Sequence, residues 1–99
     1  MMDVTRGARG ETVVRIDGTF DAPAAARLSA WLGELPEATP LVIDFTRVRQ
    51  LLDVGVAVVA PRLVARRAIQ LVGLGRHQER LFRYLGLDTS AEYHGEAAG

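Results

Sequence analysis

Residues 41–60 read LVIDFTRVRQLLDVGVAVVA, and the fold follows from how this stretch divides. Leu41, Val42 and Ile43 form a short apolar run of the kind found in buried strands. Asp44 and Thr46 close that run, which predicts a strand over residues 41–45. A second apolar stretch opens at Asp53-Val54-Gly55. In it Val56, Val59, Ala60, Leu63 and Val64 recur at i, i+3, i+4, i+7 and i+8, which predicts a helix from Asp53 with those five residues facing the core. Arg66 and Arg67 follow, where cations offset the negative pole of the helix end.

The flanks continue the same alternation. Residues 11–17, ETVVRID, predict a strand with Val14 and Ile16 on one face, and residues 2–6 pair with it across a turn over 7–10. Asp21 before Ala22-Pro23 is a helix start, with a carboxylate to cap free N–H groups and a proline that forfeits no hydrogen bond. Leu28, Trp31, Leu32 and Leu35 then fall on one stripe. Residues 69–74, IQLVGL, predict another strand. A third helix runs over about 76–85 with Leu81, Phe82 and Leu85 inward; Gly86 ends it and Leu87 folds back on the last turn. Helices alternating with apolar strands imply an α/β single domain, with a largely parallel mixed sheet of four or more strands and three or more helices. The core spans about 11–88, with a loose tail over 89–99.

Composition narrows the function. The chain has 99 residues, no cysteine and zero formal net charge. Disulfides and thiolate chemistry are thereby excluded, and the charge balance argues against nucleic acid as the main partner. The polar N-terminus lacks the apolar core of a signal peptide. No apolar run approaches the ~20 residues of a membrane span. The expectation is a soluble, cytoplasmic protein without direct membrane insertion. All twelve basic residues are arginine. Without lysine there is no phosphate-loop lysine, no Schiff base and no receiver-domain chemistry, so an acidic pocket of Asp17, Asp44 and Asp53 is not a phosphoacceptor site. His77 and His94 lack metal-site spacing, and no catalytic triad context is visible. Neither a catalytic residue, a metal site nor a cofactor is expected.

Three segments resemble one family. The 41–60 stretch is similar to the central signature of the STAS domain, the fold of bacterial anti-sigma-factor antagonists, in which a strand ending in Asp-Phe or Asp-Leu precedes Asp-Ser-Ser-Gly-Leu-Gly. Aligned without a gap, Leu52 stands at the Asp, Asp53 and Val54 at the two serines, and Gly55 at the Gly. Gly18-Thr19-Phe20-Asp21 resembles the family's Gly-x-Leu-Asp before the first helix. Residues 82–88, FRYLGLD, resemble its closing Leu-x-x-x-Gly-Leu. The likeness covers about residues 12–88. It implies a non-catalytic protein-binding module whose partner is a kinase-type anti-sigma factor. In phosphorylated relatives the second serine is modified; here Val54 is a degenerate phosphosite with no hydroxyl.

The partner-binding residues this implies are Asp21, Asp53, Val54, Gly55, Ala57, Val58 and Pro61. The sequence adds its own reason. Val54, Ala57, Val58 and Pro61 repeat opposite the core face, so the helix start is apolar nearly all round, which a free surface helix is not. Asp53 has two readings: a helix cap, or a fixed negative charge beside the former phosphosite. Pro61 implies either a kink or an early helix end, since an interior proline costs ~3 kcal/mol. Thr46 is a hydroxyl past the expected strand end, suited to bonding the local backbone. Two other functions stay open: a structural subunit of a larger assembly, such as a lipid ABC transporter or signalling complex, and a nucleotide sensor. A homodimer is a further possibility.

Overall fold

A computed structural model describes residues 2–87. Its elements are β1 (Met2–Arg6), β2 (Thr12–Phe20), α1 (Ala22–Glu34), β3 (Leu41–Leu51), α2 (Asp53–Val64), β4 (Ile69–Val72) and α3 (Arg76–Tyr84). The four strands form one sheet in the order β1-β2-β3-β4. β1 pairs antiparallel with β2, as expected, across a turn in which Gly10 takes a positive φ. β2, β3 and β4 are mutually parallel, each pair joined through a helix. This is the α/β architecture that the alternation predicts. The expected tail over 89–99, with His94, lies outside the described residues.

One core joins a single face of the sheet to the helices. Val14, Ile16, Leu41, Ile43, Phe45 and Leu71 come from the strands; Leu28, Leu32, Val56, Val59, Leu63 and Phe82 from the helices. Phe45 stands between Phe20 and Phe82, edge-on to the first at 5.6 Å and tilted against the second at 5.7 Å. Such aromatic pairs add roughly 0.5–1.5 kcal/mol beyond area burial. Val14 and Ile16 are buried and Trp31 and Leu35 flank the core. α3 ends as anticipated. Gly86 takes φ +99°, its N–H bonds to the Arg83 carbonyl, the Leu87 N–H bonds to that of Phe82, and Leu87 is buried.

Four local expectations need correction. β3 does not end near Phe45 but continues to Leu51. The Asp44–Thr46 break is a β-bulge, because the register steps from Arg15 opposite Asp44 to Asp17 opposite Arg47. Asp44 Oδ1 accepts the Thr46 N–H at 2.9 Å as well as the Thr46 hydroxyl, so a side chain supplies what the ladder skips. β4 is shorter than expected, stopping at Val72, where Gly73 with φ +81° turns the chain tightly against Thr46. Val64 is 49% exposed. Eight residues on from Val56, it lies ~80° round the helix from it, on the last turn. Finally, Arg66 does not serve the end of α2. It is buried, and its guanidinium donates to the carbonyls of Leu35, Pro36 and Thr39, clamping the loop between α1 and β3.

Candidate functional site

The start of α2 sits where β2 hands over to α1. The Leu52 N–H donates to the Phe20 carbonyl at 3.1 Å, fixing the end of β3 beside the end of β2. Gly55 then brings the first turn of α2 against that junction. A Cβ on Gly55 would stand 2.6 Å from the Phe20 carbonyl oxygen and 3.1 Å from that of Asp21. Only a residue without a Cβ permits this approach, and Gly55 is buried in consequence.

Asp21 caps α1 as the sequence implies: its Oδ1 accepts the Ala24 N–H at 3.0 Å, with Pro23 in the first turn. Asp53 does not cap α2. The cap position is Leu52, which offers no side-chain hydrogen bond, and Asp53 is the first helical residue. What remains of the cap reading is the favourable placing of a carboxylate in the first turn of a helix, worth ~0.3–1 kcal/mol on an exposed side chain. Residues 52–55 are Leu, Asp, Val and Gly, so no hydroxyl stands at this helix start.

The other side of α2 is open. Val56, Val59, Ala60 and Leu63 are buried, as the periodicity demands, while Val54 is 52% and Val58 38% exposed. Asp53, Ala57 and Pro61 are exposed beside them. Between Asp53 and Arg62 this helix carries no charged side chain. Pro61 neither ends α2 early nor stands at its end, since the helix runs on to Val64. Its missing N–H frees the Ala57 carbonyl, on the exposed side where water can reach it. Of the seven residues singled out, five therefore form one exposed apolar face with a single carboxylate, and the other two, Asp21 and Gly55, support it from below. The acidic trio is not assembled: Asp44 pairs with Arg15 at 3.5 Å, Asp17 lies opposite Arg47 in the sheet, and Asp53 begins the helix.

A cleft between α1 and α2 has no signature in the sequence. It holds about 350 Å³ and is lined by Ser29, Leu32, Leu35, Val58, Pro61 and the two arginines 62 and 66 among others. Burial pushes the Arg66 guanidinium down from its ordinary value, and the field of Glu37 opposes that shift. No hydrophobic period could signal this site, because it depends on two helices meeting.

A three-helix, four-stranded α/β domain with an apolar helix start beside the β2–α1 junction is the class this geometry defines. Residues 4–92 match the family model described as "Mlab, STAS domain", and the chain belongs to the STAS domain family. Among solved structures it is similar to the anti-sigma factor antagonist SpoIIAA in its unphosphorylated form. That match has a TM-score of 0.73 and 21% identity, covering 99% of this chain and 94% of the other. A second similar structure is that of Mglu, with a TM-score of 0.61 and 18% identity over 75% of this chain and 20% of that one. At these identities the likeness is one of fold. No curated protein matches the sequence significantly.

Proposed function

We propose that this STAS domain is a non-catalytic regulatory module of the anti-sigma-factor-antagonist type, working in the cytoplasm. It docks a protein partner, a kinase-type anti-sigma factor, through the start of α2. The observation that carries the reading is the exposed, uncharged face of Val54, Ala57, Val58 and Pro61 on a helix whose opposite face is core. An apolar patch at this position is a docking surface in need of a cover. Asp53 stands at its edge with a permanent charge, and Asp21 and Gly55 set its position. Valine at position 54 makes the module constitutive, since no phosphate can be placed there to weaken docking.

The test compares neighbours on one helix. Val58→Glu should leave the fold intact, because changes at exposed positions shift stability by only ~0.5 kcal/mol. It should weaken binding to a kinase-type anti-sigma factor by ~100-fold or more, since docking would bury an unpaired carboxylate at a cost of several kcal/mol. Val59→Glu, one residue on, should unfold the domain. Undiminished binding by a folded Val58→Glu protein would move the docking surface elsewhere. A second reading is a fixed subunit of a larger assembly, such as a lipid ABC transporter; the matched family model's description as Mlab keeps it in play. It calls for a stoichiometric complex that ATP does not dissociate.

A further inference from the structure

We propose that the cleft between α1 and α2 binds a small amphipathic carboxylate, an aliphatic acid of medium chain length. At about 350 Å³ it lies near the lower end of the volumes that hold small ligands. Leu32, Leu35, Val58 and Pro61 supply an apolar lining, and Ser29, Arg62 and Arg66 supply polar groups. The charge is unbalanced. Glu37 is the sole carboxylate on the lining, against two guanidinium groups. Among the described residues neither arginine has a carboxylate within ion-pair distance.

Arg66 is only 7% exposed, and its Nε has no hydrogen-bond partner. Its other nitrogens are held by three loop carbonyls, so its positive charge is fixed in place under the cleft. A buried charge with no carboxylate in direct contact is costly, and its field reaches further through protein than through water. Arg62 is exposed, with its guanidinium lying over Gly33, 3.0 Å from where a Cβ would stand. It is free to close on a carboxylate with its two-pronged donor geometry. A carboxylate on an aliphatic chain uses both halves of the site. An inorganic anion would leave the apolar wall wet, and a cation would meet two arginines. Val58 and Pro61 also belong to the docking face, but the cleft is complete without any partner.

Heteronuclear NMR titration of the full chain with octanoate, octylammonium and acetate tests the site. Octanoate should move the amides of Ser29, Gly33, Val58, Arg62 and Ala65 saturably. Octylammonium should leave them still, and acetate should need far higher concentrations. Arg62→Gln, an exposed change that spares the fold, should weaken octanoate binding about fivefold, the equivalent of ~1 kcal/mol. Glu37→Gln should tighten it. Equal affinity for octylammonium would make the cleft a generic apolar groove and overturn the proposal. So would an octanoate affinity indifferent to Arg62→Gln, or shifts centred on Val54 or Tyr84.

Discussion

Replacing Gly55 by alanine sets two known effects against each other at one site. In an exposed helix the change would stabilise, because alanine is favoured over glycine by ~1 kcal/mol. At Gly55 the added methyl would stand 2.6 Å from the Phe20 carbonyl oxygen, far inside the 3.4 Å at which ordinary contact begins. Neither nearby carbonyl is free to retreat. That of Phe20 accepts the Leu52 N–H, and that of Asp21 accepts the Ala25 N–H that opens α1. Phe20 itself is fully buried against Phe45. The first turn of α2 must therefore lift away, loosening Val56 and Val59 beneath it.

Overpacking of this kind costs ~1–3 kcal/mol. After the propensity gain, the net loss is up to ~2 kcal/mol, with a Tm drop of roughly 4–8 °C for each kcal/mol in a domain of this size. Urea unfolding should show a lower midpoint at unchanged slope. Gly33→Ala is the matched control. It sits in α1, and its new methyl would meet only the flexible Arg62 guanidinium at 3.0 Å. It should be neutral or stabilising. Were both variants to gain stability alike, the close approach of α2 to the β2–α1 junction would be refuted.

Two other outcomes follow from the corrected geometry. Arg66→Ala removes charge-assisted bonds to three loop carbonyls and should cost ~2–4 kcal/mol, with the loss of a buried charge giving part of that back; Arg66→Lys, a point charge on a flexible stem, should fall between the two in a denaturant melt. Incubated with ATP and a kinase-type anti-sigma factor, the chain should take no phosphate at residues 52–55, and stoichiometric modification of Thr46 in phosphopeptide maps would show that a switch operates from the bulge of β3 instead.

The sequence by itself determined most of what repeats along the chain, Val64 apart, which the α2 period turned inward and the fold leaves exposed. Periods in residues 22–35 and 53–63 placed α1 and α2 and separated the buried Val56, Val59 and Leu63 from the open Val54 and Val58. A helix or strand sorts its own side chains by geometry, so a few neighbouring residues suffice. Tertiary structure alone decided what depends on residues far apart. Asp44 and Thr46 look like a strand end until β2 lies alongside and makes them a bulge. Arg66 looks like a helix-end cation until a loop some thirty residues earlier offers it three carbonyls. Gly55 matched a motif, but its reason is the backbone of Phe20 and Asp21 pressed against it. The cleft between α1 and α2 exists only because both helices pack on the same face of the sheet, and no local pattern encodes a space between two elements.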